Sequence, residues 1–280
     1  MIWELRHEYP VALLIDIAKI SRSTYYYYTK RIEKQDNYAE LKEEIKSIYN
    51  ENRGRYGYRR ITLELKNRGY NHNHKLIYKL MREIEINSKV RIKKFHTFKG
   101  EVGRIAPNLL KRDFDAKRPN EKFVTDITEF HLFGQKLYLS ALLDLHSGYL
   151  VSFAISDRAI LNMVTDMLEK SFEVIPDWRG AILHSDQGWH YQHKRYQKML
   201  KEKGILQSMS RKGNCLDNAI IENFFGLLKS ELLYLQDFNS MEHFKEELIE
   251  YLDYYNNRRI KEKLKGLTPA AYRNQALYAS

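Results

Sequence analysis

The sequence predicts an α/β chain in two parts: a small all-α, helix-turn-helix-like region, followed by a mixed five-stranded sheet flanked by helices. Three observations predict it. Charge is lopsided, with 27 Lys+Arg against 15 Asp+Glu in residues 1–120 and 20 against 21 in residues 121–280. Hydrophobic periodicity changes from helical to strand-like at Lys122. Beyond three strand-like runs, helical and extended patterns alternate, which gives a mixed sheet with helices packed on it. The 280 residues, 43% of them hydrophobic, are enough for two domains, one with a sizeable core.

Val11, Leu14, Ile15 and Ala18 recur at i, i+3, i+4, i+7 and mark a first helix. Ser21 can cap a second, Arg22 to Arg31, rich in Tyr and basic residues. Two short helices with so small a gap resemble a helix-turn-helix, a pattern that many α-hairpins share. Leu41, Ile45 and Ile48 mark a third helix. The run Arg53-Gly54-Arg55-Tyr56-Gly57-Tyr58-Arg59-Arg60 opens the most basic stretch, residues 51–100, with 14 Lys+Arg against 4 acids. Tyrosines interleaved with arginines suit phosphate contact and base stacking, so Arg55, Tyr56, Arg59 and Arg60 are candidate DNA contacts. The alternative is a helical bundle with a solvated basic face. Helices follow around Ile61/Leu65 and around Ile77/Leu80/Met81/Ile84, the latter capped by Asn73. Residues 1–95 therefore read as a helical DNA-binding region. Residues 96–120, with Gly100, Gly103, Pro107 and Pro119 and little periodicity, read as a linker.

Residues 122–132, 135–146 and 149–157 are β-branched and aromatic runs split by Gly134 and by Ser147-Gly148, an antiparallel meander. A helix (159–174), a strand (181–186), a helix (192–203), a short strand (206–210) and a helix (218–235) follow. A helix over 240–257 precedes Thr268-Pro269, a cap and first-turn pair for a terminal helix. Residues 121–280 thus form one core with a C-terminal helical extension. Cys215 is the only cysteine, which excludes an internal disulfide and a Cys-based zinc site. The first ten residues lack the apolar core of a signal peptide. No apolar stretch approaches the roughly 20 residues of a membrane span. A cytoplasmic, nucleoid-associated protein with no membrane partner is expected.

Three carboxylates carry the chemistry. Asp126 interrupts the apolar run Phe123-Val124-Thr125-Asp126-Ile127-Thr128, and Asp186 ends Ala181-Ile182-Leu183-His184-Ser185-Asp186. Glu222 lies in a helix whose Ile221, Phe224, Phe225, Leu228 and Leu232 form an apolar stripe. Asn218, Glu222 and Lys229 fall within about 40° of one another on that helix, flanking the stripe, so Glu222 can reach the end of a sheet and Lys229 can approach DNA. Two carboxylates about 4 Å apart repel by roughly 4 kcal/mol at an effective dielectric near 20, so a gathered trio is protonated or holds cations. Oxygen-only ligands favour Mg²⁺ or Mn²⁺, and two such ions can activate an attacking oxygen and stabilise a leaving oxygen at phosphorus. Taken singly, Asp186 before Gln187-Gly188 is an ordinary turn residue. Asp126 could be an edge-strand residue and Glu222 half of a surface pair.

The stretches Leu183-His184-Ser185-Asp186-Gln187-Gly188 and Ser208-Met209-Ser210-Arg211-Lys212-Gly213-Asn214-Cys215-Leu216-Asp217-Asn218-Ala219, then Glu222, Phe225, Leu228, Lys229 and Glu231, resemble the DDE transposases of bacterial insertion sequences. The closest class is the one whose second reading frame (OrfB) encodes a retroviral-integrase-like core. Tyr254 to Tyr272 is similar to that family's C-terminal end, and Arg55-Tyr56-Gly57-Tyr58-Arg59-Arg60-Ile61 to its N-terminal helical module. The resemblance implies an RNase H-like catalytic core and a triad of Asp126, Asp186 and Glu222 binding two divalent ions. It implies cleavage at the element's ends and joining of the 3′-hydroxyl to target DNA by in-line transesterification. Lys229 matches the basic residue after the family's glutamate, and Arg211 and Lys212 join it as candidate DNA contacts. Retroviral relatives carry a His₂Cys₂ zinc module; with one cysteine, this chain is expected to lack it. In this class a first reading frame usually supplies a helix-turn-helix and leucine zipper. No zipper heptads are visible here, which makes that product a candidate partner. Two ends must be processed together, so a homo-oligomer on double-stranded DNA is expected.

Asp144, near the end of the second strand, ranks below the triad as a supporting or turn residue, and Asp157 likewise. His190 and His193 are spaced like a metal pair but are more simply loop or helix-start histidines. His184 shares a strand face with Asp186 and could contact DNA or a carboxylate. Two other functions stand beside strand transfer: a non-catalytic DNA-binding regulator or inhibitor of transposition on the same fold, and a nuclease that cuts without joining.

Overall fold

The computed structural model describes residues 2–32, 36–89, 105–211 and 215–278. The first nine residues of the expected linker (96–104 of 96–120) and Lys212 lie outside the described residues. The chain divides into two compact units, Met1–Ser47 and Ile48–Ser280. The first holds α1 (Ile2–Leu5), α2 (Val11–Ile17), α3 (Arg22–Ile32) and the start of α4 (Ala39–Glu51). Ser21 caps α3, its Oγ accepting from the Thr24 N–H at 3.1 Å. Ile15 on α2 and Tyr25 and Thr29 on α3 are buried.

The second unit takes in α5 (Tyr58–Asn67) and α6 (His74–Glu83), which pack against each other. Ile61 and Leu65 on one helix and Ile77, Leu80 and Met81 on the other are buried, while the Asn73 side chain accepts from the Lys75 N–H at 2.9 Å and caps α6. In this division α5 and α6 group with the sheet, not with α1 to α3. The Arg/Tyr-rich segment turns inward onto the C-terminal helices and fastens α5 and α6 to the larger unit.

The sheet is five-stranded in the order β3-β2-β1-β4-β5, with β1 (Lys122–Leu132), β2 (Gln135–Asp144), β3 (Leu150–Ser156), β4 (Ile182–Ser185) and β5 (Leu206–Met209). The first three form the expected antiparallel meander, and β4 and β5 add parallel to β1. Phe133 and Gly134 join β1 to β2 with φ of 53° and 69°, the two-residue left-handed turn that matches strand twist. On one face α7 (Leu161–Val174), α8 (Trp189–Gln192) and α9 (Lys194–Glu202) cover a core of Phe123, Leu142, Val164, Met167, Leu168, Trp178, Leu183, Tyr191, Tyr196 and Leu200. On the other, α10 (Ala219–Leu228) packs on β1, and α11 (Met241–Asn257) brings Phe244 to 5.1 Å from Phe130 between ring centroids. The chain closes with α12 (Pro269–Tyr278), whose first residue is the proline and whose cap is Thr268, accepting from the Ala271 N–H at 3.2 Å. The helix expected over 218–235 is α-helical only to Leu228 and continues as a π-helical turn, Lys229–Leu233. No described helix is long and apolar enough to cross a membrane.

Candidate active site

Asp126 sits where β1 passes from fully buried to half-buried residues, and shares a strand face with Val124 and Phe130. The parallel register pairs Val124 with His184. Two residues further on, the same offset sets Asp126 level with Asp186, just past the end of β4. The two carboxylates therefore leave neighbouring strands on one side of the sheet, about 5 Å apart at the backbone. That side is the one α10 covers, and α10 carries Glu222.

Each acid is oriented locally. The Ile127 N–H donates to Asp126 Oδ1 at 2.7 Å, and the Gly188 N–H donates to Asp186 Oδ1 at 2.8 Å. A Cβ on Gly188 would meet that same oxygen at 2.9 Å, so the glycine keeps the space beside Asp186 open. Burial, then the charge of Asp186, pushes the Asp126 carboxyl well above the usual range; Glu222 adds to this and Lys229 opposes it. Burial also raises Asp186, against the Gly188 N–H. Burial and then the Asp186 charge raise Glu222. The pair Asp126/Asp186 behaves as one site in which ionising either acid discourages the other. Among the described residues, no group of three or more His, Cys, Asp or Glu side chains is drawn tightly enough to hold a metal ion. The three acids share one electrostatic field without closing into a cage. Their donors are all carboxylate oxygens, which suits a hard divalent cation, and their mutual repulsion is what such a cation would relieve.

Lys229 lies on the acids' side: its Nζ is 5.5 Å from the centroid of the Phe130 ring, and burial lowers its pKa against the charges of Glu129 and Asp126. Arg211 is held by Asp217. Its Nε and Nη2 donate to the Asp217 carboxylate at 2.9 and 3.0 Å, and Arg112 and Asn108 add bonds of 3.0 Å each. Asp217, held well below the usual carboxylate range by Arg211, thereby ties the start of the α10 segment to the residues that lead into the sheet. The motif quoted for Arg211 contains this aspartate, yet nothing local in the sequence signals its role.

Four candidate DNA contacts of the N-terminal segment part company. Arg55 is 6% exposed, donates from Nε to the Glu231 carbonyl at 3.1 Å and lies 4.6 Å over the Tyr254 ring. Tyr56 is 1% exposed, its hydroxyl donating to the Arg258 carbonyl at 2.9 Å and accepting from the Ile260 N–H at 3.0 Å. Arg60 donates to Glu231 at 3.3 Å. These three serve the fold, because the buried Glu231 and the carbonyls around it demand donors. Arg59 alone faces solvent, with 68% of its side chain exposed.

Asp144 is buried and paired with Arg273 at 2.8 Å, a supporting residue outside the acid group. His184 is buried, with Nδ1 2.8 Å from Ser208 Oγ. His193 caps α9, while His190 bonds the Ala159 carbonyl at 3.0 Å and lowers Asp186's pKa by its charge. Tyr191 went unnoticed in the sequence. It is fully buried, and burial, then the charges of Asp126 and Asp186, raise its pKa.

Comparison with known proteins identifies the family. Two integrase core domain families match residues 116–215 and 222–277, and an HTH-like domain family matches residues 35–94. That places the helix-turn-helix-like region over α4 to α6, not α2 and α3. The InsK transposase for insertion sequence element IS150 of Escherichia coli strain K12 is 52% identical over 97% of this chain and 96% of its own. The InsF transposase for insertion sequence IS3A of the same strain is 29% identical over 96% of each. The HTLV-2 integrase catalytic core domain in complex with magnesium superposes with a TM-score of 0.45 at 16% identity, over 57% of this chain and 99% of that one.

Proposed function

The chain belongs to the insertion-sequence transposases, and from that premise we propose that it cuts the ends of its element and joins the freed 3′-hydroxyl to target DNA, using Asp126, Asp186 and Glu222 as ligands for two divalent cations. What supports this reading is the parallel pairing of Val124 with His184, each two residues short of an aspartate, together with the charges of Asp186 and Glu222 acting on Asp126. Bound there, Mg²⁺ or Mn²⁺ would activate the attacking oxygen and stabilise the leaving oxygen at phosphorus.

The remaining work falls to the chain. The Ile127 and Gly188 N–H groups hold one oxygen of each aspartate, leaving the second oxygen to a ligand. Lys229, half-buried beside Asp126, supplies a positive charge where a phosphodiester would lie. In joining, the 3′-oxygen of the element end forms a bond to target phosphorus and the target's own 3′-oxygen leaves. The proton passes from the attacking hydroxyl to the departing one, so no nucleophilic side chain or further reactant is needed. Double-stranded DNA is substrate and partner. A homo-oligomer on DNA follows from the need to process two ends together, and the first-frame product of the same element is a candidate second protein.

The test is incubation with labelled duplexes from the boundaries of the chain's own element in Mg²⁺, resolving cut from joined product. Glu222→Gln should abolish both products and leave end binding intact. Wild-type protein that binds ends but makes neither product would support a non-catalytic regulator; cut product without joined product would mark a nuclease.

A further inference from the structure

With Arg55, Tyr56 and Arg60 engaged inside the fold, the surface that meets duplex DNA lies elsewhere in the HTH-like region. The outer side of α6 has the right composition. His74, Lys75, Tyr78, Lys79 and Arg82 recur at i, i+1, i+4, i+5, i+8, a single stripe, and all five are exposed. The opposite stripe of Ile77, Leu80 and Met81 is buried, which fixes the rotation of the helix. The stripe carries three cations, of which Lys79 lies 3.9 Å from Glu83.

The aromatic member is braced. Tyr78 is 48% exposed, and its ring meets Tyr58 edge-on at 5.2 Å. Tyr58 in turn lies 6.1 Å from the His74 ring and receives the Arg59 Nε at 3.3 Å, so Arg59 extends the basic surface beyond the stripe. The neighbouring helix offers no equivalent. On α5, Asn67 donates to the Gly266 carbonyl at 3.1 Å, and Arg68 just beyond is bonded to Glu51 and Glu64. Ten residues make α6 about 15 Å long, enough to lie in a major groove about 12 Å wide.

We propose that this stripe of α6 enters the major groove of the element's terminal duplex, with Lys75, Lys79 and Arg82 meeting phosphate or base edges, Tyr78 packing against the groove wall and Arg59 gripping the flanking backbone. The assignment rests on the reading of the chain as a transposase that binds its own ends, and deepens it by naming the helix that does so. Exposed cationic side chains can be replaced here without disturbing the buried stripe.

The experiment measures the affinity of the full chain for a terminal duplex and for an unrelated duplex across a salt series. It compares wild type, Lys75→Gln/Lys79→Gln/Arg82→Gln, Tyr78→Ala and Lys66→Gln, an exposed control on α5. If all three cations touch phosphate, the slope of log K against log salt should fall by about 3, at about 0.9 per phosphate contact. Terminal-duplex affinity should fall at least tenfold and lose its margin over the unrelated duplex, while Lys66→Gln stays at wild type. Unchanged affinity and slope in the triple variant would overturn the assignment. Melting temperatures report folding, and should the triple variant melt early, Tyr78→Ala carries the test, with loss of terminal-duplex affinity expected and wild-type affinity overturning it. Wild-type protein that binds ends without cutting them would defeat the enzymatic reading and leave this one standing. Protein that binds neither duplex would defeat this one directly.

Discussion

Replacing Asp126 with asparagine should make the protein more stable while removing its activity. The register of β1 and β4, strands about 4.8 Å apart, carried two residues past Val124 and His184 brings Asp126 level with Asp186. Two ionised carboxylates at about 5 Å repel by roughly 3 kcal/mol at an effective dielectric near 20, and by under about 1 kcal/mol in bulk water. Both acids are half-buried, which argues for about 1–3 kcal/mol. The pH dependence follows. In the unfolded chain an Asp loses its proton near pH ~3.9, whereas folded Asp126 keeps it to a distinctly higher pH. The folded state thus binds more protons above that point, and stability falls as pH climbs from about 4 until the folded group has also ionised. The amide of the variant does not ionise and escapes this fall. Thermal melts in chelator across about pH 4–8 should show Asp126→Asn melting above wild type at the alkaline end, by about 2–4 °C for each kcal/mol. The gap should close near pH ~4. Added Mg²⁺ should raise the wild-type midpoint and leave the variant where it was. A variant no more stable at the alkaline end, or a gap indifferent to pH, would refute the shared field of the two aspartates.

Gly188→Ala is expected to cut strand transfer at least about tenfold with little change in melting, because the backbone there suits any residue (φ −57°) but the new methyl would stand 2.9 Å from Asp186 Oδ1; the ratio of turnover to melting temperature checks it. Glu231→Ala should cost about 3–5 kcal/mol in denaturant melts, since it leaves Arg259, 3% exposed and bonded twice at 2.8 Å, as a buried charge without its partner. Arg259 holds the Glu231 pKa down, so this contribution should be complete above the unfolded value of about 4.3 and fade as pH drops below it, which acid titration of the two proteins would reveal. Asp217→Asn should cost about 1.5–3 kcal/mol through weakened bonds to Arg211 and Arg112, and lower activity along with it; equal melting curves would count against the tie it makes.

Much of the core was legible because its signals are local. Alternation and the turns at Gly134 and Gly148 outlined β1 to β3, and the apolar stripe from Ile221 to Leu228 outlined α10. Asp126 and Asp186 stood out as acids in β-branched surroundings. What stayed hidden depends on partners far along the chain. Arg55 and Tyr56 look in sequence like outward cations and aromatics, and only the carbonyls of Glu231 and Arg258, more than 170 residues on, turn them inward. The π-helical turn escaped notice because Leu228 and Leu232 keep a four-residue spacing across it. The HTH-like region was sought in α2 and α3, where a short gap is the signal. It lies in α4 to α6, where the Asn73 cap had marked the start of α6 without saying that its outer side was free.

The contacts of Arg53 and Tyr56 have one more effect. Arg53 clamps Glu247 and Glu250, and Tyr56 is pinned between Arg258 and Ile260, so α5 and α6 are riveted to the same rigid block that bears the three acids. Under the proposed reading this makes a caliper: with α6 on the terminal sequence and the acids at the cut, lengthening the intervening DNA by half a helical turn, about 5 base pairs, would rotate the scissile bond to the far side of the duplex.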